Sequence, residues 1–469
     1  MPTRGWGPST STPTVAGLAR LPFDWLDIGA TGRRGLLPGA PGRVRGLAQQ
    51  PGRSWSGRGP SCLDTAAGRE ASRGGWLARH GELVSPGPGT RSQDARRRRR
   101  HRRPLRGDRA APARGRGPSL DQATDLAPLG AGLTLWPNAV HALRRLGLAE
   151  AIEERSYPIG AGGIRSRQGT LLLPTDPAEL ERRVGAPTLA IHRGELQAAL
   201  VEALGAPEPE LGARLEGLEA SEEEVRARFA GGRERRVDLL LGADGLESVV
   251  RTHVIGDSPP RPAGYSAWRG VTRFDVEALP VGELWGPGAV FGFVPLGPER
   301  VYWFGTKPES VEEREDAGGR KEDVLSHFEG WHHQVEAVVR ASPEEEILHH
   351  DIVDRDPRRG WSQGRVTLMG DAAHPMTPHL GQGACQAIED AAVLVDCLDR
   401  EHDVAAGLRA YEARRFDRTA KLVVEARRLG RIAQLRNPLA QGLRDAVLKL
   451  VPRRVQLRQL EAMTRFPQP

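Results

Sequence analysis

Beyond residue 120 the apolar positions recur with helical or strand periods, and the elements they predict follow one another closely. Ala139, Leu143 and Leu146 mark one face of a helix that Pro137-Asn138 opens and Gly147 ends. Leu196, Leu200 and Leu204 line a second helix within residues 190–204. Residues 164–173, with Gly169 at the turn, read as a hairpin, and residues 211–236 as two or three short polar strands. A buried strand, a tight turn at Asp244-Gly245 and a helix start follow within residues 237–251. Residues 265–272, 289–294 and 300–306 alternate like strands of a half-buried antiparallel sheet. Val366 and Leu368 predict a short buried strand stopped by Gly370-Asp371, and Ala384, Ala387, Ala391 and Leu394 a helix from Gly383 onward.

Residues 1–118 show none of these periods. They are rich in Gly, Pro, Ser and Arg with isolated apolar runs, the pattern of a disordered segment that cannot bury a core. Charge separates the same two parts. The 469 residues carry a net +7, but residues 1–120 hold 23 Arg, no Lys and 7 acidic residues, leaving 44 basic against 53 acidic residues in the remainder. The pI of 9.8 therefore describes one segment. An Arg-rich run such as residues 96–103 is ordinarily a solvated charge run, and nucleic acid is not expected as a partner. No run of 18 apolar residues predicts a membrane span, and no apolar core marks a signal peptide. Cys62, Cys385 and Cys397 form neither a disulfide framework nor a metal spacing, and a reducing cytoplasmic setting is expected. His332-His333 and His349-His350-Asp351 lack a carboxylate-rich loop, so no metal is expected.

The chemistry concentrates between Gly370 and Gly383. An acid, Asp371, stands at the carboxyl end of a strand, where open α/β sheets hold ligands. The Gly381-Gln382-Gly383 turn then aims the free N–H groups of a helix start at the same place. A ligand with hydroxyls on one side and a developing negative charge on the other suits this arrangement. Gly130 and Gly132 permit close backbone approach.

The stretch from Arg365 to Asp390 resembles the second FAD-binding motif of the flavoprotein aromatic hydroxylases, the single-component FAD monooxygenases of the salicylate- and hydroxybenzoate-hydroxylase type. The resemblance covers about residues 121–430. It implies an α/β fold with a Rossmann-like FAD-binding domain, an antiparallel-sheet substrate domain and C-terminal helices. The FAD-binding domain is expected over 119–262 and 350–405, with a hairpin near 160–185 joining the second domain; the substrate sheet over 263–349; and helices over 406–469. By the same resemblance Asp371, after Gly370, takes the ribitol of FAD, while Pro378, Gly381, Gln382 and Gly383 lie against the isoalloxazine. Gly132 lies beside the flavin, Arg193 reaches the FAD, Asp244-Gly245 sits by the pyrophosphate, and Asp121 falls where the family's ribose acid ends a strand. Because an acid facing phosphates alone is unfavourable, the expected task of Asp244 is to hold backbone N–H groups or an Arg. His379 is the candidate for proton handling. The implied cycle uses NADH or NADPH to reduce FAD, then O2 to form a flavin C4a-hydroperoxide that hydroxylates or epoxidises a small, electron-rich, typically aromatic substrate.

The family's first motif, a G-x-G-x-x-G turn after the first strand, is absent from this sequence. Residues 96–112, written in permitted G/C-rich codons and read one nucleotide later, give G-G-G-G-A-I-G-G-L-S-A-A-I-A-L-R, which contains that turn and a helix start. The expectation is that residues up to about 118 arise from a shifted frame or mis-set start. Two alternatives follow from the same features: a defective flavoprotein without its phosphate-binding turn, and a basic-arm nucleic-acid-binding protein on a flavoprotein scaffold.

Overall fold

The computed structural model describes residues 118–126, 131–205, 208–308 and 320–467. The expectations placed on residues 1–117 and on Gly130 lie outside the described residues.

The alternating stretches assemble a seven-stranded sheet. Its spatial order is Leu348–Asp354, Arg261–Arg273, Arg300–Lys307, Val290–Gly297, Gly282–Trp285, Gly162–Ser166 and Leu171–Thr175. All neighbours are antiparallel except Gly282–Trp285 and Gly162–Ser166, which run parallel. Period-two alternation gives this sheet two working faces. One buries Trp268, Phe291 and Trp303 against Phe328, Val335 and Val338 from the helices that cover it. The other presents Arg269, Val294, Tyr302 and Phe304 to a cavity. The boundaries expected at 262/263 and 349/350 fall inside the strands Arg261–Arg273 and Leu348–Asp354. Arg261 and Pro262 pair with Asp354 and Val353, and the ladder resumes at Ser266 after a register shift, so the two strands run together across both expected boundaries.

The parallel part is a pair, Val366–Leu368 beside Leu240–Gly242. The polar strands form a separate meander of Leu215–Ala220, Val225–Phe229 and Arg233–Val237. Gly132 begins the strand Gly132–Leu135, which pairs antiparallel with Leu189–His192. Trp136 then precedes the helix Pro137–Leu146, whose first position is the proline and whose C-cap is Gly147 at φ +75°.

The helix Gly383–Arg400 is buried on opposite sides. Ala384, Ala387 and Ile388 join a core with Leu135, Leu143 and Leu196, whereas Val393, Leu394 and Cys397 join another with Leu368, Leu408 and Tyr411. Small side chains let it fit between the helix Pro137–Leu146 and the long helix Val404–Ala433. Helices Pro438–Leu450 and Arg453–Thr464 complete the described chain.

Candidate functional site

The strand Val366–Leu368 ends at Gly370, whose φ of +58° turns the chain sharply into the short 3-10 turn Gly370–Ala372. From there the chain runs along one wall of a cavity of about 1290 Å3. Asp371, Pro378, His379, Gly381, Gln382 and Gly383 line that wall, and Gly132 lines it from the neighbouring strand. The sheet face of Arg269, Tyr302 and Phe304 stands among the other walls.

Gly381 at φ +59° makes the bend that starts the helix Gly383–Arg400. The first intrahelical bond is Gln386 N–H to Gln382 O at 2.8 Å, so the N–H groups of residues 383–385 precede the ladder. Gln382 at its head is buried. The cavity wall thus carries the positive end of an 18-residue helix. Trp136 adds a further donor: its indole N–H is buried with no partner among the described residues. The Cβ that Gly381 lacks would lie 3.1 Å from that nitrogen. At Gly132, by contrast, a Cβ would fall 2.5 Å from Tyr302, so a side chain, not a ligand, uses the room this glycine leaves.

A buried polar network fixes this wall from behind. Gly370 N–H donates to Asp390 Oδ2 at 2.9 Å, His374 Nε2 lies 2.7 Å from the same oxygen, and Arg415 Nε donates to Asp390 Oδ1 at 2.6 Å. Arg415 also pairs with Glu389, which accepts from Arg418 Nε at 2.6 Å and from Asn138 Nδ2 at 3.0 Å. Asn138 Nδ2 and Gln386 Nε2 both donate to Gln382 Oε1, at 3.1 and 2.8 Å. Burial raises the Asp390 pKa, but His374, Arg415 and the Gly370 N–H outweigh it and hold the carboxyl down at about 2. The turn and the strand end are therefore tied to one set of charges, with Arg415 fully buried at its centre.

Sequence reasoning assigned no role to Glu389, Asp390, His374 and Asn138. One signal was available: two adjacent carboxylates inside a helix of small apolar residues must be buried, and buried carboxylates need partners. Their main cation, Arg415, comes four residues after Tyr411 in the next helix, and Tyr411 Oη donates to Leu368 O at 3.1 Å.

Asp244 does hold backbone N–H groups. Its Oδ2 accepts from Val249 N–H at 2.8 Å and from Val250 N–H at 3.2 Å, and Ser248 Oγ donates to its other oxygen. Gly245, at φ +72°, supplies the turn between. Arg251 on that helix donates to Ala372 O at 2.8 Å and Ala373 O at 3.1 Å, joining the Asp-Gly turn to the Gly-Asp loop. Burial pushes the pKa of this guanidinium down to about 10, with Arg355 and Arg358 adding to the effect.

The remaining expected residues lie apart. Asp121 is buried, accepts Ala123 N–H at 2.8 Å through Oδ1 and is not in the cavity wall. Arg193 begins the helix Arg193–Leu204, and its N–H donates to Ala131 O at 2.9 Å, next to Gly132. His192 caps that helix by accepting Gly194 N–H through Nδ1 at 3.2 Å. His379 lines the cavity, with Nδ1 3.0 Å from Tyr265 Oη and its ring against Gly430 of the long helix. Burial pushes its pKa down to about 4, so the imidazole is neutral and weakly basic at pH 7. Of the aromatic residues on these strands, Trp268, Phe291, Phe293 and Trp303 lie in the core behind the sheet, with Phe293 also touching the cavity edge, and Tyr302 faces the cavity.

Residues 119–426 match the family model described as FAD binding domain. Aurachin C monooxygenase/isomerase of Stigmatella aurantiaca is 39% identical over 336 residues, 71% of this chain and 87% of that protein. The FAD-dependent urate hydroxylase of Klebsiella pneumoniae is 33% identical over 332 residues, 68% of this chain and 86% of that protein. The crystal structure of Klebsiella pneumoniae HpxO complexed with FAD and uric acid superposes with a TM-score of 0.69 at 30% identity, over 74% of this chain and 89% of that one. A salicylate hydroxylase substrate complex, 24% identical with a TM-score of 0.58 over 72% of this chain and 91% of that one, shares the fold. The mixed sheets, the buried helix after the Gly-Asp loop and these relatives together place the chain in the family of FAD-dependent flavoprotein aromatic hydroxylases, as an FAD-dependent monooxygenase.

Proposed function

We propose that this chain uses NADH or NADPH and O2 to hydroxylate or epoxidise a small, electron-rich, typically aromatic substrate in the cavity beneath the seven-stranded sheet. The observation that carries the reading is the helix N-terminus at Gly381–Ala384 in the cavity wall, with Asp371 on the same wall. The residues present fit the ring end of FAD: unladdered N–H groups, a Trp136 indole N–H without a partner among the described residues and a carboxylate share one cavity. Asp371 would take the ribitol hydroxyls, and the Gly381-Gln382-Gly383 turn the pyrimidine edge. FAD, when bound, supplies the electron and oxygen chemistry.

The protein's own contribution is position and field. The helix N-terminus stabilises negative charge on the ring, and the Asp390–Arg415 network keeps that terminus and Gly370 in fixed relation. Apolar side chains such as Val294, Phe304 and Leu422 line the cavity and would limit water beside a bound ring. Arg193, Asp121 and Asp244-Gly245 are assigned to the adenosine and pyrophosphate end. His379 is assigned a place beside the ring through Tyr265, and its low pKa leaves it without a proton to give at pH 7. The activity of the urate hydroxylase relative favours a small ring substrate here. A cytoplasmic enzyme fits the absence of any long apolar helix among the described residues.

The test is the visible spectrum of the purified chain with added FAD, followed by NAD(P)H oxidation and O2 uptake with candidate aromatic substrates. Bound flavin and substrate-dependent formation of an oxygenated product are expected. Flavin that binds but turns over without oxygenated product for every electron-rich aromatic tried would favour a reductase and overturn the reading.

A further inference from the structure

The cavity reaches the surface along the helix Pro438–Leu450, because Leu443 and Val447 line it and are still 68% and 52% exposed. On the same helix Leu439 and Leu450 are 85% and 79% exposed. Positions 439, 443, 447 and 450 lie within one stripe of a helix, and a contiguous apolar stripe open to solvent marks an interaction face. Val455, on the next helix, is 43% exposed and extends it.

The charge around the stripe identifies what it meets. Residues 421–469 hold 11 basic and 3 acidic residues, a net +8, whereas residues 121–420 hold 33 basic and 50 acidic. Lys449, Arg454 and Arg458 are exposed beside the stripe. We propose that the helices Pro438–Leu450 and Arg453–Thr464 dock on an anionic lipid surface, with the leucines entering the headgroup boundary and the cations above it, so that apolar substrates pass directly between lipid and cavity. An apolar face rimmed by Lys and Arg is what such a surface selects. A second copy of this chain would bring two +8 segments together, which like charges oppose. Nucleic acid would use the cations and leave the leucines without a role. The docking stands on the exposed stripe and its charge; only the delivery of substrate rests on the function proposed above.

The experiment is sedimentation of the full chain with vesicles of phosphatidylcholine alone and of phosphatidylcholine with phosphatidylserine, at low and high salt. Leu439→Ser/Leu450→Ser and Arg454→Glu/Arg458→Glu are compared with the parent, and circular dichroism checks that each variant folds. Binding to the anionic vesicles is expected to exceed binding to neutral ones and to weaken with salt. Partitioning should fall at least about tenfold in each double variant, because leucine burial and cation attraction both contribute. The Arg-rich segment before residue 119 is present in all of them, so binding that persists unchanged in both variants would overturn the proposal. It would equally fall if the leucine variant converts a dimer to a monomer, or if DNA displaces the chain from vesicles and the leucine variant binds DNA as the parent does.

Discussion

Asp371 stands on the cavity wall at the end of the strand Val366–Leu368, and a hydrogen bond to a charged group contributes about 1.5–3 kcal/mol. Asp371→Ala is therefore expected to weaken FAD binding by about tenfold to a hundredfold in a flavin fluorescence titration, and an unchanged affinity would remove Asp371 from the FAD site. Asp390 behaves differently, since it is buried behind the wall. Its folded pKa of about 2 lies below the ordinary 3.8, so its contribution is complete above about pH 4 and is lost as the pH falls through about 2. The loss amounts to roughly 2 kcal/mol by the size of the shift. Urea midpoints at stepped pH should show it in the parent, and Asp390→Asn should flatten that part of the profile. A parent and variant with the same acid limb would remove Asp390 as its cause.

At the scale of elements, the turn Pro378–Leu380 in the cavity wall is positioned by close helix packing. Gly430, within the long helix Val404–Ala433, lets the His379 ring approach so closely that an added Cβ would lie 3.0 Å from it. Gly430→Val keeps the helix but pushes on the residues 378–380. The expected outcome is weaker flavin binding with unchanged helix content by circular dichroism. Tight binding in this variant would mean that the turn adjusts independently of the helix. The elements themselves were readable because their signals are local: Gly147 and Gly381 adopt the positive φ that their positions require, and the apolar periods of residues 137–146 and 383–400 match the helices found. Gly132 itself carries no strand signal. Its strand exists only through pairing with Leu189–His192, more than fifty residues away in sequence, and no local pattern announces that pairing.

For the whole molecule, the cavity draws its walls from the seven-stranded sheet, the Gly370–Gly383 segment and the C-terminal helices. A ligand held among three such parts stabilises the folded state by mass action, about 2.7 kcal/mol at a hundredfold excess over Kd. Saturating FAD should accordingly raise the melting temperature by several degrees, and riboflavin, without the phosphates, should raise it less. An equal shift with both would place the binding energy at the ring end alone.

The sequence by itself determined the family, the strand–loop–helix around Asp371, the caps and turns, and the charge division between residues 1–120 and the rest, because each is written in residues close together along the chain. Only the tertiary structure decided which charges meet. Asn138, Gln382, Glu389, Asp390 and Arg415 are separated by up to 277 positions, and their network forms because burial leaves each polar group no solvent to bond. It also decided that Trp303 faces the core while Tyr302 faces the cavity, since alternation assigns neighbours to opposite faces but only packing chooses which face receives the helices.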